Sequence, residues 1–273
     1  MEVRLTFLCE NYVLQGKGLI GEHGLSLLVE REGRYILFDT GQGLGLVPNA
    51  RALGVNLSRV EGVVLSHGHY DHTGGLAELL HQTKGLKVTA HPDLFSPKYS
   101  RRHGGLRYIG VPYPKDALEG WGAELDLRRE PMEVLPGVFT TGEVKERGRG
   151  DEDLLVKTEG GLEVDPLLDD LSLFAETKEG IVLMVGCAHA GLVEILRHVE
   201  DLSGRRTFAA VVGGMHLGFL PPERREEVIE ELRGFDIRAF GVAHCTGLEA
   251  GLLMRERLRA EVHLCHVGFF LGV

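Results

Sequence analysis

Short apolar runs alternate along the chain with loops that contain glycine and histidine, and most runs lead into a turn or an amphipathic stretch. Runs of about four to eight residues rich in Val, Ile, Leu and Phe, bounded by turn residues, are typical of buried strands. In the first half a helix is predicted over 73–85, where Gly85 stops it. Strands are predicted over 3–9, 25–30, 34–41, 60–67 and 86–90, with a hairpin turned at Glu32–Gly33.

The second half repeats this rhythm. It predicts a hairpin over 171–186 around residues 178–180, strands over 208–214, 237–244 and 261–271, and helices over 191–202, 221–234 and 247–259. The helix over 221–234 opens with prolines and acidic residues, which suit a helix N-terminus. Two halves that each alternate strands with helices predict an α/β fold, with two sheets sandwiched between helices.

Between about 96 and 170 the pattern weakens. Prolines and glycines are frequent there, and they predict long connections with a few short strands such as the one in residues 137–142. No stretch in this region reads as a linker between two domains. We therefore expect a single domain over 1–273 with a long irregular insertion at about 96–170.

Composition narrows the functional classes. Thirty Lys and Arg against 40 Asp and Glu give a formal net charge of −10, which argues against a nucleic-acid binder. The cysteines, at 9, 187, 245 and 265, form no CxxC pair and predict reduced thiols in a reducing compartment. No apolar run approaches the roughly 20 residues of a membrane span, and no export signal is visible at the N-terminus. We expect a cytoplasmic protein with no membrane segment.

The stretch VVLSHGHYDHTGGL, residues 63–76, concentrates metal-binding side chains at the end of a predicted strand. His67 and His69 are two residues apart, so both can face one side of a frayed strand end and share an ion. Asp71 and His72 follow a turn and can reach a second ion beside it. Imidazole nitrogen and carboxylate oxygen suit Zn²⁺, Mn²⁺ or Fe²⁺. A polar loop facing water is the alternative, which the preceding apolar strand disfavours.

Three later histidines stand at the ends of apolar runs. His189 and His244 each follow a predicted strand and precede a helix, so both should lie at the same sheet edge as His67. His216 follows two glycines at a third strand end, where it could donate a proton to a leaving group. Histidines that cap a helix or are buried without a catalytic role are the alternatives.

The HxHxDH motif at a strand end closely resembles the signature of the metallo-β-lactamase superfamily. This resemblance implies a four-layer αββα sandwich with two mixed sheets. It also implies one or two ions, with Zn²⁺ as the expected metal and Mn²⁺ or Fe²⁺ as alternatives, His189 with the first ion and His244 with the second. Asp39, in RYILFDTG, matches an aspartate that supports the metal ligands. GCAHAG and HCTG are most similar to a subgroup related to a dihydropterin ribofuranosylaminobenzene-phosphate synthase.

Two positions depart from the superfamily pattern. Where a further histidine usually follows a Pro-Gly pair, this chain has PGVFTTGEV and Glu143. Where a bridging aspartate usually follows a glycine, the pair is Gly186–Cys187. Glu143 and Cys187 are therefore candidates for unusual ligands, with a supporting or purely structural role as the alternative for each.

A basic loop within this acidic chain is a candidate for substrate binding. Arg101, Arg102 and Arg107 lie in KYSRRHGGLRY, and the guanidinium fork suits phosphate and carboxylate. This loop could hold an anionic small molecule over the metals. A solvated surface loop is the alternative.

Together these residues predict metal-dependent hydrolysis of an ester-type or phosphate-bearing small molecule by a metal-bound hydroxide, with Asp71 orienting the hydroxide and His216 as proton donor. The subgroup resemblance implies an alternative, a transferase that joins a pterin diphosphate to an arylamine and displaces pyrophosphate. A third option is a non-catalytic metal-binding or sensing protein, for which we would expect a ligand of the HxHxDH set to be lost. The sequence leaves the substrate and the oligomeric state open.

Overall fold

The computed structural model describes residues 2–14, 18–83 and 85–273. Within these ranges the strands are β1 (Val3–Cys9), β2 (Ser26–Arg31), β3 (Arg34–Phe38), β4 (Gly62–Val64), β5 (Leu86–Ala90), β6 (Lys98–Ser100), β7 (Arg107–Tyr108), β8 (Ala123–Leu127), β9 (Glu133–Leu135), β10 (Val138–Thr140), β11 (Leu154–Thr158), β12 (Gly161–Val164), β13 (Leu173–Glu176), β14 (Ile181–Val185), β15 (Thr207–Gly214), β16 (Asp236–Ile237), β17 (Ala239–Ala243), β18 (Glu261–Leu264) and β19 (Phe270–Gly272). The α-helices are α1 (Leu46–Ala52), α2 (Tyr70–Thr73), α3 (Leu76–Gln82), α4 (Lys115–Gly120), α5 (Leu192–Ser203), α6 (Pro222–Leu232) and α7 (Leu248–Arg257).

Two mixed sheets share one plan. In the first, ordered β19-β1-β2-β3-β4-β5-β8, the strands up to β3 are antiparallel and those from β3 onward are parallel. In the second, ordered β18-β17-β15-β14-β13-β10-β9, the strands from β14 to β18 are parallel and the rest antiparallel. The carboxyl ends of parallel strands open at the same edge of a sheet, which is where ligand sites form.

Three apolar clusters define four layers. The middle cluster holds side chains from both sheets, such as Leu5 and Val29 of the first and Leu173 and Val212 of the second. One outer cluster packs α1, α3 and α4 on the first sheet, and the other packs α5, α6 and α7 on the second. This arrangement confirms the predicted αββα sandwich with two mixed sheets. Among the described residues, no helix combines the length and the apolar character that a bilayer span requires.

Some elements differ from the predicted ones. The closing strand predicted over 261–271 is two strands, because the chain leaves β18 in the second sheet and returns as β19 at the edge of the first. The helix predicted over 73–85 is shorter in the structure, where it corresponds to α3, and Gly74–Gly75 separate it from the short helix α2. A Cβ at either glycine would collide with a backbone oxygen, of Gln42 at Gly74 and of Thr40 at Gly75, so the division lets the chain pass close to the loop after β3.

The segment over 96–170 is more regular than the sequence predicts. It contributes β8 to the first sheet and β9 and β10 to the second. It also forms a small antiparallel sheet of its own, ordered β12-β11-β6-β7. Its short strands and frequent prolines weaken the alternation on which strand prediction depends.

A buried ion triad joins this small sheet to the loop after β4. The Nζ atom of Lys98 donates to Asp165 Oδ2 and to Asp169 Oδ1, both at 2.9 Å, and all three side chains are almost fully buried. The other Asp169 oxygen accepts the backbone N–H of Gly68 at 2.7 Å. The triad therefore fixes the backbone between His67 and His69.

Replacing Lys98 should cost much stability, because two buried carboxylates lose their cation. We expect Lys98→Met to lower the free energy of unfolding by about 3–5 kcal/mol, measured by urea denaturation. Lys87→Met is the matched control, since Lys87 pairs with Asp126 at the surface and its side chain is half exposed. That change should cost less than about 1 kcal/mol. Equal losses in the two variants would contradict a structural role for the triad.

Candidate metal centre

The candidate site lies where the carboxyl ends of strands from both sheets meet. Four non-glycine residues at strand ends have positive φ: Asp39 after β3 (62°), Ala188 after β14 (53°), His216 after β15 (54°) and His244 after β17 (49°). Such a conformation is unfavourable for residues with a Cβ and persists only where the surroundings enforce it. Four such residues at one edge of the sheets indicate that the surrounding structure holds the backbone there in a strained conformation.

One group of histidines comes from both sheets. His67 and His69 follow β4, and His189 follows β14. The Nε2 atom of His67 lies 2.9 Å from Nδ1 of His69, and potential ligand atoms of all three residues lie within 4.8 Å of one another. His189 reaches this group from about 120 residues further along the chain, as the sequence predicts.

A second group lies beside the first. The Nε2 atom of His244 is 3.2 Å from Nε2 of His72 and 3.2 Å from Oδ2 of Asp71. The His72 ring is 4.2 Å from the His67 ring, centre to centre, so the two groups adjoin. The structure thus brings together all six side chains that the sequence predicts as ligands.

Hydrogen bonds at the outer ring nitrogens orient three of these imidazoles. Nδ1 of His72 donates to Asp39 Oδ2 at 2.7 Å, and Nδ1 of His244 donates to the Asn11 side-chain oxygen at 3.2 Å. Nδ1 of His67 lies 2.8 Å from the Ser66 hydroxyl, which itself donates to Asp39 Oδ2. With Nδ1 as the donor in each case, Nε2 faces the interior of the group.

Burial sets the charge of the first group. It lowers the pKa of His69 to about 3 and holds the pKa values of His67 and His189 well below their usual range. These imidazoles are therefore neutral at pH 7, which is the form that binds metal ions.

The second group is more polar. Burial disfavours a charge on His72, but the carboxylates of Asp39 and Asp71 outweigh it and raise its pKa to about 9. Burial likewise disfavours the Asp71 carboxylate, yet His72, His23 and His244 hold its pKa well below the usual range. His72 is therefore protonated at pH 7 without a metal ion, and an ion that binds its Nε2 has to displace that proton.

The donor set fits divalent metal ions. Two nitrogens that bind one tetrahedral Zn²⁺ at about 2.0–2.1 Å lie roughly 3.3 Å apart. The donor separations of 2.9 and 3.2 Å in the two groups are close to that value. In addition, Nε2 of His189 is buried and has no hydrogen-bond partner among the described residues, which is costly unless a ligand uses it.

Cys187 lies at the junction of the two groups. Its Sγ atom is 3.2 Å from Nε2 of His72, so the departure from the superfamily pattern falls inside the site. Cys245 adjoins it, with potential ligand atoms of Cys187, His244 and Cys245 all within 4.8 Å. Nothing in the sequence pattern around Cys245 predicts this contact, because the residue is only a neighbour of His244 there.

His23 is a second residue that sequence reasoning missed. Its Nε2 atom lies 3.1 Å from Oδ2 of Asp71, and its side chain is about half exposed at the mouth of the site. His23 lies in a glycine-rich loop, and neither periodicity nor spacing relates it to Asp71. Only the folded chain reveals this contact.

Glu143 lies in neither donor group, and its surroundings favour the structural alternative. Its carboxylate accepts hydrogen bonds from Nε2 of His91 at 3.0 Å and from Nη1 of Arg129 at 2.6 Å. His91 is buried and holds this carboxylate in a separate ion cluster beside β5 and β10. The Pro-Gly context before β10 therefore leads to a structural ion pair instead of a ligand.

A cavity of about 170 Å³ opens over the two groups. His216 borders it, with its ring 4.5 Å from that of His189 and its buried Nδ1 without a partner among the described residues. Nε2 of His216 is 3.5 Å from Asp151. The predicted proton donor thus faces the same space as the predicted ligands.

The basic loop reaches the cavity with two of its three predicted arginines. Arg102 borders the cavity, stacks over the Phe219 ring at 4.1 Å and pairs with Asp151. Arg107 borders it too and lies over the Tyr70 ring at 5.0 Å. Arg101 is exposed, pairs with Asp153 and does not line the cavity, so the structure does not support its predicted role in anion binding.

Comparison with known proteins gives a consistent result. A family model described as the metallo-beta-lactamase superfamily matches residues 19–244. The chain is 29% identical to a 7,8-dihydropterin-6-methyl-4-(β-D-ribofuranosyl)-aminobenzene-5'-phosphate synthase of Methanocaldococcus jannaschii, over 97% of this chain and 95% of that protein. It is 31% identical to an uncharacterized protein of the same organism, over 94% of this chain and 96% of that one.

A solved structure has the same fold over nearly the whole length. It is described as a metal-dependent hydrolase of the β-lactamase superfamily, and it matches with a TM-score of 0.87 and 29% identity. The match covers 99% of each chain.

Asp39 provides a direct test of the orienting network. In Asp39→Asn, one carboxylate oxygen becomes an amide that donates, so the side chain can no longer accept from Ser66 N–H, Ser66 O–H and His72 together. We expect affinity for Zn²⁺ to fall roughly 10–100-fold, measured by competition with a chromophoric chelator.

Asp126→Asn is the control for this measurement, because Asp126 lies on the edge strand β8 and pairs with the surface cations Lys87 and Arg128. It should leave Zn²⁺ affinity unchanged. If a folded Asp39→Asn protein bound Zn²⁺ as tightly as the unaltered protein, the orienting role of Asp39 would be refuted.

Proposed function

The chain belongs to the metallo-beta-lactamase superfamily, and on this premise we propose that it is a metal-dependent enzyme with two adjacent ion sites. The observation that carries the proposal is the pair of adjoining donor groups that face one cavity. We assign His67, His69 and His189 to one ion, and Asp71, His72 and His244 to the other. Imidazole and carboxylate donors suit Zn²⁺ best, with Mn²⁺ and Fe²⁺ as alternatives.

We propose hydrolysis of an ester-type or phosphate-bearing small molecule as the reaction. Bound divalent ions supply Lewis-acid chemistry, which neutralises charge that develops on substrate oxygens and makes water more acidic. The cavity of about 170 Å³ has room for one reacting group beside the donor groups. Larger parts of a substrate have to lie outside it.

The protein's own side chains have separate tasks in this proposal. Asp71 holds the attacking water in line through Oδ2, which is 3.2 Å from His244 Nε2 at the cavity wall. His216 faces the cavity next to His189 and gives its proton to the leaving group. Arg102 and Arg107 hold an anionic portion of the substrate at the rim.

A second candidate is a synthase that transfers a dihydropterin-type group to an amine and displaces pyrophosphate. It is favoured by a groove of about 560 Å³ that adjoins the cavity and shares with it Arg102, His189, His216 and Phe219. A groove of this size could hold a second reactant. The full-length similarity to a synthase supports the same candidate.

A non-catalytic sensor is the least supported of the three functions. Each predicted HxHxDH side chain is present and faces the others, whereas a sensor is expected to have lost part of the set.

Metal analysis tests the premise of both enzymatic proposals. We expect protein purified without chelators to hold about one to two transition-metal ions per chain, and His69→Ala to remove most of them. His81→Ala is the control, because His81 lies on the exposed side of α3 and contacts Trp121. Metal below about a tenth of an equivalent in the unaltered protein would refute the metal centre.

Turnover assays separate the two reactions. We expect the metal-loaded enzyme to hydrolyse at least one substrate in a panel of phosphodiesters, thioesters and lactones, with no need for an amine. A parallel arm offers a pterin diphosphate with and without an arylamine and measures pyrophosphate. Pyrophosphate release that requires the amine, without hydrolysis in the panel, would favour the synthase. Full metal occupancy without turnover in either arm would favour the sensor.

A further inference from the structure

Two consecutive aspartates, Asp169 and Asp170, lie between β12 and β13, and both are almost fully buried. The chain turns just before this pair at Leu167, whose φ is 49°, and the Asp170 N–H donates to the Leu167 carbonyl at 3.0 Å. The surrounding structure has to enforce such a backbone angle in a residue that carries a Cβ. The turn that leads to the two aspartates is therefore held in one conformation.

Asp169 and Leu171 hold the loop after β4. Asp169 Oδ2 accepts the Gly68 N–H at 2.7 Å, and the Leu171 N–H donates to the Ser66 carbonyl at 2.9 Å. Ser66 and Gly68 are the two neighbours of His67 in the chain. These hydrogen bonds therefore fix the backbone on both sides of a candidate ligand from the first sheet.

Asp170 holds the loop after β14, which belongs to the second sheet. Its Oδ2 atom accepts the Ala190 N–H at 2.7 Å, and Ala190 directly follows His189. Three successive residues, 169–171, thus attach both loops that supply the first donor group. The separation of the His67 and His189 loops depends on this short segment.

Packing alone accounts poorly for Asp170. Its Oδ1 atom is buried and has no hydrogen-bond partner among the described residues. A buried carboxylate oxygen without a partner costs free energy, and an apolar side chain at the same place would avoid that cost. The hydrogen bond from Ala190 is the contact that an apolar side chain could not replace.

Other carboxylates hold the second donor group. Glu10 Oε1 accepts the His244 N–H at 2.6 Å, and Asp39 accepts from Nδ1 of His72. In the described ranges, no hydrogen bond joins the side chain of Asp169 or Asp170 to a member of this group. A change at residues 169–171 should therefore affect the two groups differently.

We propose that residues 169–171 form a clamp that positions the two loops of the first donor group and so sets the affinity for one ion separately from the other. This inference rests on the proposed function, since it requires two ion sites. The clamp residues are positioning residues, which act through the backbone of the ligand loops without a bond to the ion. Residues that orient metal ligands in this way commonly determine how tightly the metal is held.

Cobalt titration tests the clamp with a readout independent of activity. Bound Co²⁺ absorbs visible light, and His189→Ala and His244→Ala serve as references that show which absorption belongs to which ion. Asp170→Ala removes the acceptor of the Ala190 N–H, so we expect affinity for the first ion to fall about tenfold or more. Affinity for the second ion should not change. Asp170→Asn keeps an oxygen that can accept this N–H, and it should restore most of the lost affinity.

Two further variants are matched controls, because each also removes a buried carboxylate. Glu10→Ala removes the acceptor of the His244 N–H and should weaken the second ion without affecting the first. Asp165→Ala removes a carboxylate that contacts Lys98 and Leu167 instead of a ligand loop. It should lower the stability of the protein and leave the affinity for both ions unchanged.

Amide exchange in the unaltered, metal-free protein tests the clamp without a substitution, and it decides the matter even if Asp170→Ala does not fold. The amides of Gly68 and Ala190 should exchange as slowly as amides within β14, because their acceptors are in place before metal binds. Exchange as fast as that of exposed loop amides would overturn the clamp.

The titrations also separate failure of the clamp from failure of the proposed function. If Asp170→Ala weakened both ions equally, or neither, the clamp would be overturned and the metal centre would stand. Equal losses in Asp170→Ala and Asp170→Asn would overturn it as well. If the unaltered protein bound no cobalt at all, the proposed function would fail together with this inference.

Discussion

The candidate site depends on one buried carboxylate. Asp39 is fully buried and accepts hydrogen bonds from the backbone and hydroxyl of Ser66 and from Nδ1 of His72. Its own carbonyl accepts from Ser26, so the residue ties the ends of β2, β3 and β4 to α2. An isolated carboxylate without solvent would be very costly, and here donors from the HxHxDH segment and from Ser66 before it compensate its charge.

Asp39 also explains how both sheets contribute side chains to one site. Ser66, which Asp39 holds, lies against Gly186 at the end of β14, and only a glycine permits this contact. The first sheet supplies His67, His69 and His72 on one side of it, and the second supplies Cys187 and His189 on the other. The site is therefore a property of the interface between the sheets, and neither sheet holds it alone.

Much of the candidate site could be predicted from the sequence, for physical reasons that differ between residues. The HxHxDH residues are close in sequence, so their spacing already determines that they share one strand end. His189 and His244 were predictable because carboxyl ends of parallel strands gather at one edge. For Glu143 the Pro-Gly context left a ligand role and a structural role open, because hydrogen bonds from His91 and Arg129, which no local pattern reveals, direct that carboxylate. The contacts of His23 and Cys245 form only when separate loops meet in the folded chain, so the local sequence pattern cannot predict them.

The candidate ligands come from both halves of the chain, and this affects when the site forms during folding. Donors that lie between positions 67 and 244 come together only after β4, β14 and β17 have joined their sheets and the sheets have packed. Contacts between such distant segments form late and slowly during folding. If the chain binds metal as proposed, tight ion capture is a late event in its maturation, because the nascent first half has the HxHxDH segment without His189 and His244.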